Sequence, residues 1–433
     1  MGKLQSGTKS DLLKCLEQLS DPQGKSEIPN ADCIILDGAA IVHLLKPGNA
    51  KTFEEYSTLV FVPYIMSILQ CAQRIDVVWD CYKPDSLKAS TRAKRGSGIK
   101  RQVLPSAPMP KNWSDFLHSD LNKQDLFLFL ATSLACIAVP DNKVIVTTAT
   151  EKVLTTSKDD DFSDLMPCTH EEADTRMLLH ANNTVQRGSH TLIICTVDTD
   201  VVVLAIAMYS RLGSEALWVE MGTGKHVRYI AVHELVNVLG PVKSACLPLF
   251  HAFTGCDTVS AFSGRGKKTW TNFPEVTSAF TELSAAPSSE FTESCMSLLK
   301  RYVVLLYDHT SESCSVNEAR CKLFSQKLKN TDSLKPTRDA LIQHALRAVY
   351  QAGYVWYQTL SVQPVLPSPS CWGWQSVDSV WQPLWMTIPE AAEACSQLIR
   401  CGCKLGCSTR WCRCVRAELE CTALCACDGE CRE

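Results

Sequence analysis

An α/β fold, a mostly parallel twisted sheet with helices on both faces followed by a small cysteine-rich zinc-cluster domain, is what this sequence predicts. Three observations carry that expectation. Short, β-branched apolar runs alternate with helix-like stretches between residues 30 and 260, as strands do when crossover helices bury both faces of a sheet. An acidic residue closes or follows several of those runs. Finally, 9 of the 23 cysteines are packed into residues 401–431, while the other 14 are scattered singly over the first 400.

In chain order, the apolar runs are Cys33-Ile34-Ile35-Leu36, Ile75-Asp76-Val77-Val78-Trp79, Thr191-Leu192-Ile193-Ile194-Cys195 and Val201-Val202-Val203-Leu204. Residues 1–29 precede them as an N-terminal extension, 30–275 form the α/β domain and 276–360 a helical extension. Residues 361–394 hold Pro364, Pro367, Pro369, Pro383 and Pro389 with Trp372, Trp374, Trp381 and Trp385. That composition is too aromatic for a flexible linker, so this connector is expected to pack on the main domain. Residues 395–433 are the cysteine module.

The 433 residues suit roughly two to four domains, and 45% apolar with 21% charged residues excludes bulk disorder and fibrous repeats. With 43 Lys and Arg against 46 Asp and Glu the net charge is -3, so any nucleic-acid surface must be a local patch. The apolar run Leu126 to Val139 is shorter than the ~20 residues a bilayer needs and stops at Pro140, so no membrane helix is expected. Met1-Gly2-Lys3-Leu4-Gln5-Ser6 lacks the apolar core of a signal peptide. Its loose match to a myristoylation pattern through Gly2 and Ser6 ranks below chance similarity. The expected location is intracellular and nuclear, where cysteines are candidates for metal binding rather than disulfides.

Asp37 follows the first run, Asp80 the second, and Asp198 with Asp200 the third; Glu171, Glu172 and Asp174 open the helix-like stretch His170 to Leu179, and Asp257 lies in Gly255-Cys256-Asp257. For any one of them, capping the next helix is the ordinary explanation. Their recurrence along one edge of a parallel sheet weakens it, because ligands gather at the carboxyl ends of such strands. Converging carboxylates repel unless cations hold them, and oxygen-only ligand sets suit Mg2+ or Mn2+. Two such ions ~3.5–4 Å apart are a common device for hydrolysing phosphodiesters. Asp198 and Asp200 share a face if the segment is extended. Glu172 and Asp174 diverge on a regular helix whereas Glu171 and Asp174 share a face, so which Glu is a ligand stays open.

Residues 83–101 hold Lys83, Lys88, Arg92, Lys94, Arg95, Lys100 and Arg101 against one Asp85, a positive patch suited to phosphates. Lys88 and Arg95, seven apart, fall two turns apart on one helical face. A solvated charged helix is the plainer explanation, though Gly96-Ser97-Gly98 adds flexible backbone for phosphate contact.

Together these pieces resemble the flap endonuclease branch of the PIN-like nucleases over about residues 30–275. The carriers are Val77-Val78-Trp79-Asp80 with Lys83-Pro84, Leu87-Lys88 and Ala93-Lys94-Arg95, then Glu172-Ala173-Asp174, Thr196-Val197-Asp198-Thr199-Asp200 and Gly255-Cys256-Asp257. The resemblance implies Asp37, Asp80, Glu172, Asp174, Asp198, Asp200 and Asp257 as Mg2+ ligands, and Lys88 and Arg95 as the pair that positions the scissile phosphate. Arg92, Lys94, Lys100 and Arg101 would add nucleic-acid contacts. Ser263-Gly264-Arg265-Gly266-Lys267-Lys268 is similar to the family's glycine-turn motif, implying that Gly264, Gly266, Lys267 and Lys268 grip duplex backbone. It departs from the pattern in its short spacing from Asp257 and in Thr258, which stands where an aromatic is usual.

The tail runs Cys401-x-Cys403-x3-Cys407-x4-Cys412-x-Cys414-x6-Cys421-x3-Cys425-x-Cys427-x3-Cys431. So short a stretch cannot build an apolar core, and structural zinc supplies about 10–16 kcal/mol of folding free energy per ion. The spacing resembles the tesmin-type CXC domain, which implies three Zn2+ sharing the nine thiolates. Lys404, Arg410, Arg413 and Arg416 between the ligands suit DNA phosphates.

The expected function is therefore a metal-dependent, structure-selective nuclease acting on DNA by a two-metal mechanism, with a mobile-element origin as one further reading. The alternative is a non-enzymatic DNA-binding or chromatin-associated protein with a vestigial nuclease fold. His43, His180, His233 and His251 are expected in core or surface roles rather than as ligands, and Tyr82 and Trp113, which could stack on unpaired bases, are expected in ordinary packing.

Overall fold

The computed structural model describes residues 4–5, 7–19, 29–89, 92, 99–262, 265–269, 274–325, 336–387, 401–403, 407, 411–418, 421, 425 and 427. The chain divides into two compact units, Met1–Trp385 and Met386–Glu433.

The first unit is built on a seven-stranded sheet of β1 (Cys33–Asp37), β2 (Arg74–Val78), β3 (Val144–Ala149), β4 (Lys152–Thr155), β5 (Thr191–Thr196), β6 (Ala216–Met221) and β7 (Arg228–Ala231). The order is β4-β3-β2-β1-β5-β6-β7. The inner pairs are parallel, and only the edge strands β4 and β7 run antiparallel to their neighbours. Every residue of β1 is buried. Cys33 and Ile35 belong to the core on one face of the sheet, Ile34 and Leu36 to the core on the other, as the two-residue period of a strand dictates.

From β1 the chain builds outward through β2 to β4, then returns to lay β5 on the other side of β1. That reversal opens a crevice at the carboxyl ends of β1 and β5. Two glycines let the backbone close around it. Gly38 lies against the Trp79 ring, and Gly255, at φ 115°, would drive a Cβ to 2.7 Å from the Ala261 backbone.

The run Val201-Val202-Val203-Leu204, expected as a strand, is instead the centre of the helix Thr199–Leu212. Asp198 caps it by accepting from the Asp200 N–H at 2.9 Å, and Gly213 ends it in the left-handed region at φ 73°. All four residues are fully buried. A helix enclosed on every side carries a continuous apolar sequence, which periodicity cannot tell from a buried strand.

The N-terminal segment belongs to the same unit, with Leu12, Leu13 and Leu16 of the helix Ser10–Glu17 in its core. That core also takes in the helices Glu293–Tyr307 and Arg338–Val349, together with Trp372 and Trp374. The Arg347 guanidinium donates to the Gly373 and Leu384 carbonyls at 3.0 and 2.7 Å, seating the hairpin of β8 (Trp374–Val377) and β9 (Val380–Pro383). The helix Val232–Phe253 is long and apolar enough to cross a membrane. Gly240 breaks it at φ 74°, and Leu247, Phe250 and Phe253 are buried in the core.

Candidate functional site

The crevice is a cavity of about 900 Å3 lined by Asp37, Asp80, Glu172, Asp174, Asp198 and Asp257. Asp200 lies behind it, 2% exposed. Each acid arrives on a local signal. Asp37 ends β1 and accepts from the Ala40 N–H at 3.0 Å. Asp80 follows β2; one of its oxygens accepts from the Ala173 N–H and the other from the Tyr82 hydroxyl, both at 2.9 Å. Glu172 precedes the helix Ala173–Gln186 and Asp174 lies in its first turn. Asp198 and Asp200 occupy the cap and first turn of a helix rather than an extended segment. One oxygen from each of Asp174, Asp198 and Asp200 can lie within 4.8 Å of the others, a group able to hold a divalent ion.

Burial and mutual repulsion shape their acidity. Burial, reinforced by Asp80, pushes Asp37 up to about 7. Burial lifts Glu172 to about 7 despite Lys88, and burial with the Asp198 charge raises Asp174 well above the usual carboxylate range. Asp200 goes the other way. Burial alone would raise it, but the His251 hydrogen bond at 2.7 Å and the nearby lysines hold it low.

Two lysines are interleaved with these acids. Lys88 bonds Glu172 and lies 3.2 Å from Asp257. Lys9, from the N-terminal segment, lies 2.6 Å from Asp257, 2.9 Å from Asp200 and 3.4 Å from Asp198. Sequence reasoning passed over Lys9, because nothing local marks a residue whose partners are 189 or more positions away. It also passed over His251 as a partner of Asp200, and over Lys46 and Lys123, which line the cavity. Tyr82, expected only to pack, orients Asp80. Glu171 lines the cavity too, but Arg92 holds it at 2.5 Å.

The expected basic residues divide. Lys88 and Arg92 line the cleft, and Lys100 and Arg101 are exposed without lining it. Lys94, Arg95 and Gly264 lie outside the described residues. In the turn that was to grip duplex, Gly266 has φ 114° and Lys268 is exposed, with Asp11 3.8 Å away. Lys267 is directed inward, 5% exposed, with its ammonium 2.8 Å from His251 Nδ1 and 2.6 Å from the His251 carbonyl. It therefore buttresses the histidine that holds Asp200.

In the second unit, Cys401, Cys403, Cys407, Cys412, Cys414, Cys421, Cys425 and Cys427 form one cluster. The Sγ atom of Cys401 is 3.5 Å from that of Cys407, 3.7 Å from Cys427 and 3.8 Å from Cys421. The eight sulfurs fall into three overlapping groups of four, each able to hold a metal, with Cys401 in all three. Backbone N–H groups at the start of the helix Arg413–Arg416 draw the Cys412 thiol down to about 6, toward the thiolate that zinc requires. Cys431 lies outside the described residues.

No protein-family model matches this chain, and no curated protein matches it.

Proposed function

We propose that the chain is a nuclear, metal-dependent, structure-selective nuclease that hydrolyses phosphodiester bonds of DNA, on the flap endonuclease plan its motifs resemble. The cysteine module serves as a zinc-held DNA-binding unit. One observation carries this reading: acids from five separate chain segments converge on a single cleft at the carboxyl edge of a parallel sheet. The donor set fits Mg2+ or Mn2+, being carboxylate oxygen throughout. The crowding that pushes Asp37 and Glu172 up to about 7 marks negative charge a cation would relieve. When bound, a pair of such ions supplies an activated water and neutralises the leaving oxygen.

The chain's own residues hold and orient. Asp174, Asp198 and Asp200 offer the closest oxygens. His251, braced by Lys267, fixes one oxygen of Asp200, and Tyr82 with the Ala173 N–H fixes both oxygens of Asp80, the kind of outer support that orients metal ligands. Lys88 and Arg92 face the same cavity as the acids and can exchange a carboxylate for a phosphate oxygen. On the resemblance, Arg95 joins Lys88 in placing the scissile phosphate.

The non-enzymatic alternative keeps one observation in its favour, because Lys9 and Lys88 already neutralise part of the acid cluster. Incubating the zinc-loaded chain with flap, nicked and hairpin DNA separates the two. Mg2+-dependent cleavage abolished by EDTA supports the nuclease, and intact DNA in every case, with Mg2+ or Mn2+, supports the binding protein.

A further inference from the structure

We propose a second site beside the carboxylate cleft, a pocket that receives the unpaired nucleobase next to the scissile phosphate. The phosphate's position rests on the nuclease reading; the fit to a base rests on the pocket itself. The cavity measures about 370 Å3, within the roughly 300–1,000 Å3 of small-molecule sites. Lys88, Glu171 and Glu172 line both it and the carboxylate cleft. A nucleotide whose phosphate lies on one side of that shared wall can therefore place its base on the other.

The walls suit a flat aromatic ring. The half-buried Trp381 and the buried Tyr350 bring aromatic rings to its wall, and Pro364 and Pro367 add apolar surface, the kind of lining on which bases stack irrespective of sequence. The Tyr350 hydroxyl donates to the Pro367 carbonyl at 3.1 Å, which holds its ring in place.

The polar lining points to a ligand as well. Gln351 lines the pocket and is 4% exposed. The Thr258 hydroxyl donates to its Oε1 at 2.8 Å, which fixes the amide with its carbonyl oxygen engaged and its Nε2 as the remaining donor. An amide N–H donates to the carbonyl or ring nitrogen of a base. Gln351 belongs to the π-helical turn Tyr350–Trp356, a distortion frequent at functional sites. Thr258, which sets the amide's orientation, directly follows Asp257 of the acid cluster. One loop thus serves both cavities.

The test uses the full, zinc-loaded chain and flap DNA carrying 2-aminopurine on either side of the scissile phosphate, bound in Ca2+ to separate binding from hydrolysis. Quenching at one position is expected, lost in Trp381→Ala and restored in Trp381→Phe. Trp381→Ala should weaken binding about 5- to 150-fold, the range for losing one stacked base, and Gln351→Glu, which replaces the amide donor by a carboxylate acceptor, should weaken binding as well. An abasic nucleotide at that position should weaken wild-type binding by at least that factor and cost Trp381→Ala less. If wild type cleaves in Mg2+ but shows no quenching and cleaves abasic and intact flaps alike, the base site is wrong and the nuclease reading stands. If quenching and its loss in both variants occur without any Mg2+-dependent cleavage, the base site stands and the nuclease reading falls. Absence of both quenching and cleavage overturns both.

Discussion

Replacing Lys9 by Met removes the ammonium that lies 2.6 Å from Asp257, 2.9 Å from Asp200 and 3.4 Å from Asp198, while keeping most of the side chain's apolar length. Breaking a fully buried ion pair by deleting one partner costs about 3–5 kcal/mol. Lys9 keeps 21% of its side chain exposed and Asp257 39%, so solvent screening reduces the expected loss to about 1–3 kcal/mol in metal-free protein. The ammonium also competes for the oxygens that a divalent ion would use. Its removal should therefore raise affinity for Mg2+ by the reciprocal factor, roughly 5- to 150-fold. Urea denaturation in EDTA reads the first quantity and calorimetric titration with Mg2+ the second. Saturating Mg2+ should then close the stability gap between variant and wild type. Unchanged stability in EDTA together with unchanged Mg2+ affinity would refute the idea that the N-terminal segment and a metal share these carboxylates.

Asp174→Asn should stabilise metal-free protein, because burial and the Asp198 charge make its carboxylate unfavourable there, and it should abolish cleavage; a stability loss in EDTA would contradict this. Asp200→Asn should destabilise instead, since the amide keeps an acceptor oxygen for only one of His251 and Lys9 and loses the charge that faces Lys9, and comparing the two variants by urea midpoint checks the contrast. His344 is buried with its Nε2 2.7 Å from the Phe253 carbonyl, and burial, with Arg347 adding to it, pulls it from its ordinary 6.5 to about 3. The unfolded chain thus binds more protons between those values, so the stability His344 provides is complete above pH 6.5 and is lost as pH falls toward 3. The stability of wild type relative to His344→Gln should shrink by about 1.4 kcal/mol per pH unit in that window, and a difference independent of pH sinks the assignment. Stripping zinc with a strong chelator should melt residues 395–433 and leave the α/β unit folded, and native mass spectrometry should find about three zinc ions per chain beforehand; a metal-free, disulfide-bonded tail would contradict both.

What was legible in the sequence was chemistry tied to local punctuation. Asp37, Asp80 and Asp198 each stand where an apolar run stops, and a parallel sheet turns that linear coincidence into spatial convergence. The cysteine spacing was legible for the same reason, since ligands one to six residues apart must share space. The Val201–Leu204 run misled because continuous burial erases the period that separates helix from strand. Lys9, His251 and Gln351 were illegible in a different way. Their roles depend on contacts with Asp198, Asp200 and Thr258 that are distant in sequence, and a lone lysine, histidine or glutamine has no pattern to announce it. Lys267 shows the converse failure, where a basic run looked like a phosphate grip and one of its members points into the core.

The claim beneath all of this is that the strand-end acids of one cleft hold divalent cations side by side. Electron paramagnetic resonance of the zinc-loaded full chain titrated with Mn2+ tests it most directly, because two ions ~3.5–4 Å apart couple magnetically. The account predicts a coupled Mn2+ signal in wild type that Asp174→Asn reduces to isolated, weakly held ions. A spectrum of uncoupled Mn2+ that is the same in both proteins would contradict it.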